Sequence, residues 1–183
     1  MIKININRFG GRGATSSASV IKTTLYHGSP NKNIKNFDIN LSGSNTMSSE
    51  YGIFLTDSEK FANDFSYQRI ETNSMFVDKK GEQGKVYEVK INVKKPLDLS
   101  KEKDFDKLYE YASGLGKLDG KETFKKNMKN WQKIGNHQLM KGNLDLKKIA
   151  KSGKYDVVIA KLQVQGNEKE YIVFDSKKVK IKK

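Results

Sequence analysis

The chain has 183 residues, 36% of them hydrophobic and 10% aromatic, which suits one domain with a core of its own and leaves little room for a second. It has no cysteine, which excludes disulfides and thiolate metal sites, and its two histidines, His27 and His137, do not make a zinc site, so no metal is expected. The formal net charge of +14 suggests polyanionic partners, but only Arg8, Arg12 and Arg69 of the 35 basic residues are arginine, the side chain whose planar fork suits phosphate; the charge is read as lysine-rich composition and solubility ahead of a nucleic-acid surface.

The opening "MIKININRFGGRGATSS" lacks the apolar centre of a secretory signal, and no apolar run approaches the ~18 residues of a membrane span. Residues 1–19 are Gly/Ser-rich and read as a flexible arm; the globular domain is expected over 20–183. "SVIKTTLYHG" reads as a strand, and "EYGIFLTDS" as a short buried strand closing on a turn. In "SEKFANDFSYQ", Ser58 is a helix N-cap, with Phe61, Ala62 and Phe65 on one helical face. "GKVYEVKINVKKPLDLS" alternates Tyr87, Val89, Ile91 and Val93 against polar neighbours, a half-buried strand stopped by Pro96. From about 103 to 153 the pattern is helical: Phe124, Met128 and Trp131 recur at i, i+4, i+7, and Leu146, Ile149 and Ala150 form a second stripe ended by Gly153. "KYDVVIAKL" and "KEYIVFDSKKVKI" read as two closing strands joined by a hairpin at "VQGNEK". Strands, a helical insert and strands again make an α+β fold rather than alternating βαβ units.

Three places hold residues able to do chemistry. His27-Gly28-Ser29 ends the first strand with a titratable ring followed by the residue with no side chain. Gly52 to Phe65 sets two aromatic residues, Phe54 and Phe65, eleven positions apart. "NEKEYIVFD" carries Glu168 and Glu170 just before a buried apolar run. Each has a plain structural reading: a strand-end histidine, two core aromatics, a solvated strand edge. His137 in "GNHQLM" has no evident partner, and "GLG" at 114–116 is too short to cradle a phosphate.

Together, "YHGS", "GIFLTDSEKFANDF" and "EYIVFD" resemble in order and wording the ADP-ribosyltransferase superfamily, in its histidine-tyrosine-glutamate branch with the poly(ADP-ribose) polymerases and diphtheria toxin. Among subfamilies the chain looks most like the small phage and mobile-element domains at the ends of polyvalent proteins. The resemblance implies a split, mostly antiparallel sheet core with a cleft for NAD. It implies that His27 bonds a ribose hydroxyl on the adenosine side, that the Gly28 backbone, with Ser29 beside it, grips the nicotinamide carboxamide, that Phe54 and Phe65 stack on the nicotinamide ring, and that Glu170 accepts from the nicotinamide-ribose 2′-hydroxyl. The family usually has tyrosine at the two aromatic positions; here both are phenylalanine, and Tyr51 or Tyr67 is expected to compensate. Glu168 resembles the first glutamate of the arginine-specific toxin branch, where it orients the acceptor, and is a candidate catalytic residue as general base or acceptor-positioning group; the alternative is a solvated glutamate.

The function this implies is transfer of a single ADP-ribose from NAD to a protein or nucleic-acid acceptor, with release of nicotinamide, by a monomer that makes no contact with membranes. The setting implied is cytoplasmic, virion-associated or inside a host cell. The chemistry suits the residue types independently: breaking the N-glycosidic bond leaves an oxocarbenium-like ribose, which a carboxylate stabilises, and nicotinamide is already a cationic leaving group. NAD hydrolysis, and a non-catalytic basic binding module with a degenerate cleft, are the competing readings.

Overall fold

The computed structural model describes residues 21, 23–41, 51–70, 78–80, 82–102 and 105–182. The arm expected over 1–19 lies outside them. Seven strands form one sheet in the order β6-β7-β8-β2-β1-β5-β9: β1 is Leu25–Ser29, β2 Ile53–Thr56, β5 Lys85–Ile91, β6 Pro96–Asp98, β7 Val157–Lys161, β8 Lys169–Val173 and β9 Val179–Ile181. Every neighbouring pair is antiparallel except β6 with β7. A separate two-stranded ribbon pairs β3 (Gln68–Ile70) with β4 (Asp78–Lys80). The helices are α1 (Glu59–Asp64), α2 (Phe105–Leu108), α3 (Gly114–Leu118), α4 (Gly120–Lys133), α5 (His137–Gly142) and α6 (Leu146–Ser152). No helix is long and apolar enough to cross a membrane among the described residues.

The strands are where side-chain period places them. Tyr87, Val89, Ile91 and Val93 are buried, while Glu88, Lys90 and Asn92 are exposed. The inner strands β7 and β8 carry unbroken apolar runs because both of their faces are covered. Val158, Ala160 and Ile172 join a core with the helices, built on Phe105, Phe124, Met128, Met140 and Ile149. Their sequence neighbours Val157, Ile159, Tyr171 and Val173 turn to the opposite core, with Leu25, Leu55 and Val89. In α4, Phe124 and Met128 are fully buried and Trp131 packs on their edge. α6 stops at Gly153, which takes the left-handed conformation at φ 63°.

Three expectations change. β5 ends at Ile91, and Pro96 opens β6 instead of closing the preceding strand; it sits at the first residue of an edge strand, where its missing N–H is harmless. The C-terminal stretch is two strands, not one: a 3₁₀ turn at Ser176–Lys178, started by the Asp175 side chain accepting from the Lys177 N–H, separates β8 from β9 and sends β9 to the far edge beside β5. Among the described residues the first strand begins at Leu25; positions 19, 20 and 22 of the expected strand lie outside them.

The sheet is pinched in the middle. β1 and β5 share five registered pairs and β7 and β8 share five, but β1 and β2 share only Tyr26 with Thr56. The two halves part there. Backbone groups that a neighbouring strand would satisfy need other partners, and the Phe54 carbonyl finds one in a side chain of β1: the His27 ring accepts that duty, donating from Nδ1 at 2.9 Å.

Candidate active site

A cleft of about 800 Å³ opens at this parting, within the size range of small-molecule sites. His27, Gly28 and Ser29 of β1, Phe54 of β2, Phe61 and Phe65 of the α1 segment, and Glu170 of β8 all line it. The loop from Pro30 to Leu41 forms one side; Gln138 and Lys141 of α5, with Leu162, form another. Residues more than a hundred positions apart thus meet in one crevice.

His27 is held by its bond to the Phe54 carbonyl and by an edge-on contact with the Phe37 ring, 4.8 Å between centroids. Burial pushes its pKa below 6.5, and the bond to Phe54 only partly opposes this. The ring is therefore neutral at pH 7. A carbonyl can only accept, so the proton is on Nδ1 and Nε2 is left as an acceptor, suited to a ligand hydroxyl.

Gly28 answers to a nearer neighbour than any ligand. A Cβ there would lie 1.7 Å from the Ala62 carbonyl oxygen and 2.8 Å from its carbon. Glycine lets α1 lie against β1, and that approach carries Phe61 and Phe65 to the cleft. α1 is started as expected, the Ser58 side chain accepting from the Phe61 N–H at 3.2 Å. Ser29 faces the cleft, and its Oγ also accepts from the Asn31 N–H at 3.2 Å.

Glu170 lies opposite Thr56 on β2 and Ala160 on β7. It shares the helix-facing side of β8 with Ile172, two residues on. There its Oε2 meets Lys141 Nζ at 2.8 Å, with the two side chains only 13% and 8% exposed. The same ammonium stands 5.6 Å from the centre of the Phe54 ring. Sequence reasoning passed over Lys141, one lysine among many on a helix; its only signal was a charge on a face that must meet the sheet.

The other candidates are placed differently. Glu168 precedes β8, is exposed and does not line the cleft, so it is not paired with Glu170 on a strand face. Tyr51 is half-buried against the helical core, and neither it nor Tyr67 is among the residues lining the cleft. His137 does have a partner: it is buried, and its Nδ1 accepts from the Lys161 N–H at 3.1 Å.

The family described as ADP-ribosyltransferase in polyvalent proteins matches residues 22–182, nearly the whole chain and all three cleft-forming segments. This chain is a member of that family. No curated protein and no solved structure gives a significant match. Members of the family take NAD as substrate, and the cleft of this ADP-ribosyltransferase domain presents a neutral imidazole, aromatic faces and two carboxylates, Asp38 and Glu170, in a mostly apolar hollow. No cluster of three metal-binding side chains occurs among the described residues.

Proposed function

We propose that this ADP-ribosyltransferase domain cleaves NAD at the nicotinamide glycosidic bond and passes a single ADP-ribose to a macromolecular acceptor. The observation that carries the reading is the convergence of His27 and Glu170, 143 positions apart in sequence, on one cleft that Phe54, on the strand between theirs, and Phe65, at the end of α1, also line. His27 Nε2 accepts from a hydroxyl of the adenosine-side ribose. The Gly28 backbone holds the carboxamide, and Phe54 and Phe65 give the nicotinamide ring aromatic faces without phenol hydroxyls. Glu170 accepts from the 2′-hydroxyl of the reacting ribose. As the C1′–N bond breaks, its electron pair leaves with nicotinamide, which becomes neutral; positive charge grows on the ribose, and the nearby carboxylate opposes that charge in a site shielded from water. The acceptor's lone pair then forms the new bond to C1′, and its proton passes to solvent. Glu168, exposed outside the cleft, is suited to contact with the acceptor and not with NAD.

Incubation of the protein with NAD, with and without a cell lysate, tests this by measurement of free nicotinamide. Release that depends on lysate is expected. Release in buffer alone assigns water as acceptor and makes the protein a glycohydrolase. No release under either condition, with salt-sensitive binding to nucleic acid, makes it a binding module.

A further inference from the structure

Helix α5 docks on the end of β7 through one residue's backbone. His137 accepts from the Lys161 N–H, and Gln138 Nε2 donates to the Lys161 carbonyl at 2.8 Å. Both backbone polar groups of Lys161 are thus met by the first turn of α5. Lys141, four residues after His137, is carried to the neighbouring strand, where Glu170 turns toward the helices. The 2.8 Å contact to Oε2 and the rest of the ammonium against Phe54 follow from that docking.

We propose that Lys141 is a positioning residue of the site: its ammonium fixes the Glu170 carboxylate on the cleft wall and seats the Phe54 ring beside it. The inference rests on the transferase reading of Glu170. A buried ion pair is a poor way to gain stability, because desolvation of both charges offsets most of their attraction. Two apolar residues would fill the same space more cheaply, so the pair makes sense where the carboxylate itself is needed. The strand neighbours of Glu170, Thr56 and Ala160, bring it no charge. A carboxylate has about four lone-pair sites, so one ammonium leaves room for a substrate hydroxyl.

Lys141→Met keeps an unbranched stem and removes the charge; Lys141→Arg keeps the charge. With NAD and lysate, kcat for nicotinamide release should fall on the order of 10²-fold in Lys141→Met, as for a displaced catalytic group, with KM for NAD little changed and much of the loss recovered in Lys141→Arg. Because Lys141 acts through Glu170, adding Lys141→Met to Glu170→Gln should cost no further kcat; this comparison also stands if Lys141→Met alone fails to fold, since the double variant strands no buried charge. Independently of turnover, a double-mutant cycle in urea should show Lys141→Met alone to be less stable than the double variant. Additive stability effects, a Lys141→Met enzyme with wild-type kcat, or a kcat loss that multiplies on the Glu170→Gln background would each overturn the positioning role and leave the reading of Glu170 standing. A wild-type protein that releases no nicotinamide would instead overturn the transferase reading, and the role of Lys141 with it.

Discussion

Gly28 and Glu170 show two ways in which one residue type is required. At Gly28 the requirement is space: a methyl group would meet the Ala62 carbonyl at 1.7 Å, and a backbone oxygen cannot rotate aside as a side chain can. Gly28→Ala should destabilise the fold by about 1–3 kcal/mol, the usual range for overpacking, as read from urea unfolding, and should weaken NAD binding because α1 must retreat with Phe61 and Phe65. At Glu170 the requirement, under the proposed chemistry, is charge. Glu170→Gln should keep the side chain's shape and lower nicotinamide release roughly 10²–10³-fold, the scale of one lost electrostatic stabiliser, while near-native circular dichroism shows the fold intact. Retained turnover would remove Glu170 from the chemistry. The sequence pointed to both positions, but only the structure gives the reason at Gly28: the helix that packs there lies more than thirty residues further along, and no local pattern records so close an approach.

At the scale of elements, local signals that act within a few residues were legible. The Ser58 cap, the period-2 burial of β5, the 3.6-residue stripe of α4 and the glycine stop of α6 each depend on neighbours in sequence. Strand ends were less so. Pro96 reads as a terminator in isolation, and only the parallel partner β7 makes it the start of an edge strand. The break between β8 and β9 depends on an Asp175 side chain capturing the Lys177 N–H, a competition between local turn and extended chain that apolar patterning does not register. Ser58 supports a direct test, because its helix forms a wall of the cleft. Ser58→Ala should cost about 0.5–2 kcal/mol by loss of the cap, measured by urea unfolding, and should raise KM for NAD with little change in kcat, since in the proposed site α1 binds and does not react. A change confined to kcat would show that α1 does more than bind.

For the whole molecule, the site was legible in its parts and not in its assembly. His27, Phe54, Phe65 and Glu170 could be singled out from wording, but Lys141 could not, because its partner lies 29 residues away and is chosen by how α5 docks. That docking exposes the molecule to pH. Both histidines of the chain have their pKa lowered below 6.5: His27 by burial, and His137 by burial first and then by the nearby Lys161 charge, with Asp98 pulling the other way and Lys169 adding a smaller push down. In each case the unfolded chain holds a proton that the folded state has shed. Between the folded and unfolded pKa values the unfolded state binds more protons, so stability rises with pH through that window and is fully present only above 6.5. Asp156 adds a separate loss at lower pH: burial raises its pKa, but bonds from Lys178 and from the Lys94 and Lys95 amides outweigh this, so its contribution holds above 3.8 and fades as pH falls below that value. Urea unfolding should therefore show stability declining as pH is lowered from 7 toward 5, before any carboxylate of ordinary pKa is protonated. Protonating His137 also removes the acceptor that ties α5 to Lys161, so kcat should decline alongside stability as Lys141 loses its seat. In His137→Gln, whose side-chain oxygen accepts from the same N–H and does not titrate, the decline should be shallower in both measurements. An unchanged slope would mean that neither the fold nor the placement of Glu170 depends on that contact.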